Sequence, residues 1–163
     1  MVASNDDASS AHEVLTWERF GVAIGELAET IVADGFRPDI VLAVARGGLP
    51  VAGALAYALD VKNCFTMNVA FYTGINERLE APVVLPPTLD KVDITGARVL
   101  VADDVADTGK TLELVRREVA EFVADARCAV LYLKPWSVVI PEYSWAATDR
   151  WIDFPWSTAT PPT

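Results

Sequence analysis

The chain is poor in the residues from which several classes of functional site are built. It has one histidine and two cysteines among 163 residues, and the cysteines have no metal-ligand spacing. Basic residues are outnumbered, with 13 Lys and Arg against 23 Asp and Glu, whereas a nucleic-acid-binding surface is basic. No apolar run approaches the roughly 18 residues of a membrane span. We therefore expect neither nucleic acid nor a membrane among its partners.

The cysteines and the N-terminal residues indicate the compartment. Cys64 and Cys128 lie in apolar, strand-like runs, which favours buried free thiols in a reducing cytoplasm. The first residues, MVASNDDASSAHE, lack the basic-then-apolar order of a secretory signal. We expect a cytoplasmic protein with a disordered tail over residues 1–12 and a single domain over residues 13–163.

Apolar strands alternate with helical patterns along the chain. Thr16 is a good N-cap for a helix through Asp34, which Gly35 then ends. DIVLAVA, residues 39–45, is apolar on both faces, as a central parallel strand is. Further strands are expected at 64–72, 98–102 and 128–134, and further helices at 51–60 and 108–124. The alternation predicts an α/β fold with an open, mostly parallel twisted sheet flanked by helices.

One long connection interrupts this alternation. Residues 73–87, TGINERLEAPVVLPP, have no helical period and contain three prolines, so we expect a functional lid or a flexible insertion. This connection and the segments ARGG, DDVADTGKT and KPW all follow predicted strands. Because ligands of open α/β sheets bind beyond the carboxyl ends of the strands, these segments are the candidates for one site.

The stretch VLVADDVADTGKTL, residues 99–112, runs a buried strand into three acids. A strand, a turn and a capped helix explain Thr108 but not Asp103 and Asp104, because burying even one unpaired carboxylate costs several kcal/mol. GKT also ends a nucleotide-binding P-loop, but that motif needs a glycine five residues before Gly109, where Asp104 stands. An acid there would repel phosphate, so we reject the P-loop.

Carboxylates followed by a helix start suit a phosphorylated sugar. Asp103 and Asp104 can accept hydrogen bonds from the vicinal hydroxyls of a ribose, directly or through Mg²⁺, which prefers hard oxygen ligands. Residues 108–111 then begin a helix, whose free N–H groups and partial positive charge suit a phosphate. The stretch therefore predicts a phosphoribosyl site.

The pattern of apolar residues followed by D-D-x-x-D-T-G-x-T resembles the phosphoribosyl-pyrophosphate (PRPP) signature of the type I phosphoribosyltransferases. The resemblance spans about Thr16 to Trp156 and implies that family's fold, with a small hood from the C-terminal segment. It implies transfer of ribose 5-phosphate from PRPP to a base, Mg²⁺ with Asp104 as its ligand, and a homodimer or homotetramer. The PRPP contacts that it implies here are Asp103, Asp104, Val105, Ala106, Asp107, Thr108, Gly109, Lys110 and Thr111.

Two earlier segments are similar to other PRPP-binding parts of the family. Arg46 and Gly47 belong to ARGG, which resembles the pyrophosphate loop, and that loop often contains a non-proline cis peptide. A glycine pair lets backbone N–H groups approach an anion, and the guanidinium adds donors. Arg78 lies six residues after Tyr72. In the bacterial xanthine-guanine enzymes, which this chain resembles, an arginine at that spacing closes over pyrophosphate. Its acidic neighbours Glu77 and Glu80 depart from those enzymes.

The C-terminal third indicates which base is transferred. Lys134 ends a predicted strand, where the 6-oxopurine transferases have a lysine that donates to the purine O6. DRWIDFPW, residues 149–156, resembles the purine-stacking segment of the xanthine-guanine enzymes. By this resemblance, Trp151 would stack on the base and the Ile152 backbone would form a hydrogen bond to the N1/C2 edge of the base. The alternative is that Trp151 packs in the core. The other late tryptophans are expected to pack: Trp136, Trp145 and Trp156.

The resemblance implies a purine salvage enzyme in which Asp107 is the candidate general base and Arg78 assists catalysis from the long connection. Hypoxanthine, guanine and xanthine all stay open, because selectivity at C2 depends on backbone positions. Two other functions are possible. One is a PRPP-sensing regulator, and the other is a phosphoribosyltransferase for a pyrimidine or adenine.

Overall fold

The described residues contain every predicted helix and strand in the predicted order, together with further strands that the sequence did not predict. The computed structural model describes residues 11–74, 77–85, 90 and 93–158. In chain order the elements are β1 (His12–Val14), α1 (Trp17–Ala33), β2 (Ile40–Ala45), α2 (Gly48–Ala58), β3 (Asn63–Gly74), β4 (Glu77–Leu85), β5 (Arg98–Ala106), α3 (Lys110–Ala120), β6 (Asp125–Leu133), β7 (Tyr143–Ala147) and β8 (Trp151–Asp153).

The main sheet has six strands in the order β4-β3-β2-β5-β6-β7. Every neighbouring pair is parallel except β3 and β4, which are antiparallel. This confirms the predicted α/β fold with a mostly parallel sheet. Because β5 lies in the middle of the sheet, the acids that end it are placed at the centre of the carboxyl edge.

The sheet has an apolar core on each face. Successive residues of a strand point to opposite faces, so Leu100 of β5 packs in the core that includes α1 and α2, whereas Val99 and Val101 pack in the core that includes α3. All three are fully buried. A strand that is buried on both faces needs a continuous apolar run, which is the pattern of residues 99–102.

Helix α1 begins and ends as predicted. The hydroxyl oxygen of Thr16 accepts a hydrogen bond from the backbone N–H of Arg19 at 3.2 Å, and Gly35 follows the helix with a φ of +77°. No helix in the described part of the chain has the length and apolar content needed to cross a bilayer.

The hood is made from both ends of the chain. Strand β8 pairs in parallel with β1, so the N-terminal strand supplies half of this second sheet. Strand β1 begins at His12, which the sequence analysis assigned to the tail, and residues 1–10 of that predicted tail lie outside the described residues.

The long connection, for which the sequence suggested a functional lid or a flexible insertion, contains a regular strand. Residues 77–85 form β4, which pairs antiparallel with β3 at the edge of the sheet, from Asn68 opposite Leu85 to Gly74 opposite Glu77. Proline has no backbone N–H to donate, and an edge strand tolerates it because the N–H groups on its outer side have no neighbouring strand. Pro82 lies in this edge strand. Residues 75–76 and 86–89, which include the other two prolines, lie outside the described residues.

Three smaller expectations are also corrected. Strand β5 continues past Ala102 to Ala106, because β6 is long enough to pair with it up to Leu133. Helix α3 begins at Lys110 rather than Thr108 and ends at Ala120. Cys128 is buried as predicted, but Cys64, near the start of β3, is exposed.

We expect Leu100→Ala to lower the free energy of unfolding by about 2–5 kcal/mol, because the side chain is fully buried and its loss leaves a cavity. Urea denaturation measures the change. The control is Ile140→Ala, at a side chain that is 77% exposed, where the change should stay within about 0.5 kcal/mol. Equal effects of the two substitutions would contradict the two-core description.

Candidate active site

Two acids lie side by side near the end of β5, Asp103 buried and Asp104 half-buried. Asp103 is only 8% exposed, and its Oδ1 accepts a hydrogen bond from the backbone N–H of Asp104 at 2.9 Å. Burial raises the pKa of Asp103 well above its usual range, and the neighbouring charge of Asp104 raises it further. Burial also raises the pKa of Asp104, although hydrogen bonds from the Val105 backbone and the Trp156 side chain oppose this. The pair therefore holds protons more tightly than exposed carboxyl groups do.

The loop between β2 and α2 lies directly against these acids. A Cβ at Gly47 would collide with the Asp104 carboxylate, and one at Gly48 would collide with the Ala102 carbonyl oxygen. Only glycine allows so close an approach, which is the physical reason for the pair in ARGG. The peptide bond between Ala45 and Arg46 is cis, so this loop has the non-proline cis peptide that is frequent in the family's pyrophosphate loop. The structure thus brings the candidate pyrophosphate loop and the acids together.

The turn after β5 leads into the N-terminus of α3. Gly109 is the N-cap and has a φ of +79°, and a Cβ there would lie 2.5 Å from the Ser137 Oγ. Side chains rarely adopt this φ, so both conformation and space require glycine. The first N–H groups of a helix have no partner within the helix and point outward. Lys110 and Thr111 begin the helix at this end.

The remaining residues of the signature differ in burial. Asp107 and Thr108 are exposed, whereas Ala106 is buried in the core beside α3. The Ala106 carbonyl accepts a hydrogen bond from the Lys134 backbone N–H at 3.0 Å, so this link joins the turn after β5 to the end of β6.

A cavity of about 770 Å³ opens beside this turn. Its volume falls within the range of roughly 300–1,000 Å³ typical of small-molecule sites. The four predicted purine contacts come from three separate segments of the chain, and all of them line this cavity. They are Asp107, Lys134, Trp151 and Ile152. Val105 lines the same cavity and directly follows Asp104 in the chain. The candidate purine and PRPP regions are therefore adjacent.

Lys134 is a buried cation that faces this cavity. It is 8% exposed, and its Nζ donates a hydrogen bond to the Arg150 carbonyl oxygen. A buried ammonium needs such acceptors, since its desolvation is costly. The bond also joins the end of β6 to the loop before β8.

Trp151 is not a core aromatic, because its side chain is 70% exposed and lines the cavity. The alternative considered from sequence is therefore wrong for this residue. Ile152, the next residue of β8, is buried and pairs with Glu13 of β1. Next in the strand, Oδ2 of Asp153 lies 2.9 Å from the His12 Nδ1, so β1 supports the strand that carries Trp151.

The three other late tryptophans differ from one another. Trp145 packs edge-on against Tyr132, with ring centroids 5.7 Å apart, and Trp156 stacks on Phe154 at 5.0 Å, so both pack as predicted. Trp136 does not pack in the core. It is 54% exposed and lines the cavity, and its indole N–H donates to Asp107 Oδ1 at 2.9 Å. The signal that could have found it is its position two residues after Lys134, at the end of a strand.

Arg78 is the one candidate whose side chain lies outside the described part of the structure. Its backbone lies in β4, opposite Tyr72 of β3, and the same limit applies to the side chains of Glu77 and Glu80.

Asp103 and Asp104 are the residues that fit a magnesium ion. Among the described residues there is no group of three or more His, Cys, Asp or Glu side chains arranged to hold a metal by themselves. Mg²⁺ is usually held by one or two carboxylates, with waters and substrate phosphates completing its coordination. Two adjacent carboxyl groups with raised pKa values match that kind of site, because a cation would favour their charged form.

Comparison with known proteins agrees with the signature. A model of the phosphoribosyl transferase domain matches residues 10–162. The xanthine-guanine phosphoribosyltransferase of Roseobacter denitrificans is 31% identical, over 97% of this chain and 94% of that protein. The enzyme of the same name from a Ruegeria species is 35% identical, over 77% of this chain and 75% of that protein.

A solved structure agrees as well. The crystal structure of a purine phosphoribosyltransferase from Pyrococcus horikoshii matches with a TM-score of 0.79 and 36% identity, covering 94% of this chain and 98% of that one. The resemblance inferred from D-D-x-x-D-T-G-x-T is thereby confirmed. The chain belongs to the phosphoribosyltransferase family and has xanthine-guanine enzymes among its relatives.

Proposed function

We propose that this protein is a purine salvage enzyme, which transfers the 5-phosphoribosyl group of PRPP to a 6-oxopurine and releases pyrophosphate. The observation that carries the proposal is the cavity in which Asp107, Lys134, Trp151 and Ile152 meet beside the buried acids of β5. The names of the relatives from Roseobacter and Pyrococcus horikoshii support the same reaction and substrate class.

PRPP would bind along the carboxyl edge of the sheet. Asp103 and Asp104 would accept hydrogen bonds from the ribose hydroxyls, and the N–H groups of residues 105–111 would surround the 5′-phosphate. Arg46 and Gly47 would contact the pyrophosphate, with Arg78 from β4 as a further cation. The close approach of Gly47 to Asp104 supports this division, because one PRPP molecule can then reach both.

Mg²⁺ would be held chiefly by Asp104, beside Asp103. When bound, the ion offsets the negative charge that develops on pyrophosphate as it leaves. A chain of formal net charge −10 repels a polyanionic substrate, so this neutralisation also favours PRPP binding.

In the reaction a purine ring nitrogen forms a bond to C1′ of the ribose, and the bond from C1′ to the pyrophosphate oxygen breaks. The nitrogen-bound proton of the purine passes to the Asp107 carboxylate, which acts as general base. Trp151 would stack on the base, and the Ile152 backbone would bond to its N1/C2 edge. Fixing the purine in this way aligns the nitrogen with C1′ before the reaction.

Lys134 would select 6-oxopurines over adenine. Its ammonium can donate to a carbonyl oxygen at C6, whereas the 6-amino group of adenine would place donors against a donor. By drawing electron density toward O6, the ammonium also makes the ring easier to deprotonate. The burial of Lys134 supports this role, because a buried charge gains most from a good acceptor.

The assembly and compartment follow from the same proposal. We expect a homodimer or homotetramer in the cytoplasm, with PRPP and the purine as its small-molecule partners. If analytical ultracentrifugation at micromolar concentration shows only the monomer, the expected assembly is wrong.

A panel of bases tests the function. With PRPP and Mg²⁺, we expect nucleotide from hypoxanthine, guanine or xanthine and none from adenine, uracil or orotate, measured by product chromatography. PRPP binding without product from any base would instead indicate a regulator, and product from adenine or a pyrimidine would indicate a different transferase.

Asp107→Asn tests the general base. We expect turnover to fall at least about tenfold while the Kd for PRPP stays within about twofold, because the amide cannot take the proton. Steady-state kinetics and calorimetric PRPP binding measure the two quantities. Glu113→Gln is the control, since this exposed carboxyl group lies in the first turn of α3 and has no proposed role. Unimpaired turnover in Asp107→Asn would remove the residue from the mechanism.

Removal of the metal tests the role of Mg²⁺. We expect excess EDTA to abolish turnover and added Mg²⁺ to restore it, whereas EDTA already saturated with Mg²⁺ should have no effect. If activity persists after exhaustive chelation, the metal is not needed.

A further inference from the structure

We propose that Trp136 is a positioning residue that connects the two side chains assigned to the purine, Asp107 and Lys134. The inference rests on the proposed function, since it concerns the same cavity. Its indole N–H would fix the Asp107 carboxylate, and its ring would cover the Lys134 ammonium, so that base and cation are held in one arrangement before the purine binds.

The first contact is the hydrogen bond to the general base. The Trp136 Nε1 lies 2.9 Å from Asp107 Oδ1, an ordinary length for an N–H···O hydrogen bond. Asp107 is exposed in the turn after β5, where an unrestrained carboxylate would rotate freely. With Oδ1 held by the indole, Oδ2 is left to accept the proton of the purine. This restraint supplies the orientation that proton transfer requires.

The second contact is to the cation. The Lys134 Nζ lies 5.6 Å from the centre of the Trp136 ring, within the range of cation–π attraction. The same ammonium bonds to the Arg150 carbonyl, so the ring and the carbonyl hold it from two directions. One side chain thus contacts both of the polar side chains that are assigned to the purine.

Burial does not explain the position of Trp136. The side chain is 54% exposed, so core packing supplies little of the free energy that holds it there. The backbone around it is fixed instead. The Ser137 N–H donates to the Lys134 carbonyl at 3.1 Å, and the Val138 N–H donates to the Thr108 carbonyl at 2.9 Å. A half-exposed indole in a fixed loop, facing a cavity, is placed for contact with a ligand or its partners.

Trp136→Phe and Asp107→Ala form the test, as single variants and combined. Trp136→Phe keeps an aromatic ring and removes only the N–H. We expect it to lower kcat about tenfold in the otherwise unchanged enzyme, with the KM for PRPP within twofold, because a misdirected base slows the reaction and not PRPP binding. In the Asp107→Ala background the same substitution should change the residual rate less than twofold, because the N–H has lost its acceptor.

Trp136→Ala separates the second contact. It removes the ring as well, so the KM for the purine should rise severalfold beyond its value in Trp136→Phe. Trp145→Phe is the matched control: it deletes an indole N–H that donates to Glu26 at 2.6 Å, away from the cavity, and should leave kcat within twofold.

The outcomes are distinct. A loss of kcat in Trp136→Phe that disappears in the Asp107→Ala background supports the inference. An equal loss in both backgrounds, or no loss at all, overturns it while the proposed function stands. If the unchanged enzyme makes no nucleotide from any 6-oxopurine, the proposed function falls and the inference with it.

Discussion

The placement of a buried and a half-buried carboxyl group side by side near the end of β5 is the constraint on which the rest of the site depends. Burial raises the pKa of both Asp103 and Asp104, so the folded protein gives up their protons less readily than the unfolded chain does. Below the ordinary carboxyl pKa this costs nothing, but folding free energy is lost as the pH rises toward the raised values. Ligands that bring positive charge or hydroxyl donors recover that free energy, so the raised pKa values of this pair favour their binding. The glycines of the neighbouring loop allow its backbone to lie directly against these acids.

The purine cavity depends on contacts between segments that are distant in the chain. Asp107 follows β5, Lys134 follows β6, and Trp151 begins β8. Hydrogen bonds between backbone groups align the first two, since the Lys134 N–H donates to the Ala106 carbonyl. The buried ammonium then joins the third by its bond to the Arg150 carbonyl. Lys134 therefore has two roles: its ammonium lines the cavity, and the same group links the segments that form the cavity.

The hood shows how the N-terminal strand contributes to a site near the other end of the chain. Strand β1 pairs with β8 from His12 opposite Trp151 to Val14 opposite Asp153. Because β8 has only three residues, it would gain little order without a partner strand. The three residues of β1 therefore hold the exposed Trp151 over the cavity, although neither composition nor motif marks them as functional.

The sequence by itself determined the order of the helices and of strands β2, β3, β5 and β6, the caps of α1, the acids near the end of β5 and the four predicted purine contacts that line the cavity. Each of these is a local pattern, such as an apolar run, a capping threonine or a motif of fixed spacing. Only the tertiary structure decided that residues 77–85 form an edge strand, that β1 completes the hood and that Trp136 bonds to Asp107. Those outcomes depend on which segments become neighbours, and a half-exposed tryptophan looks the same in sequence as a buried one. The spacing of residues along the chain determines which functional groups lie together within one segment. Contacts between distant segments form only when the sheet brings those segments together.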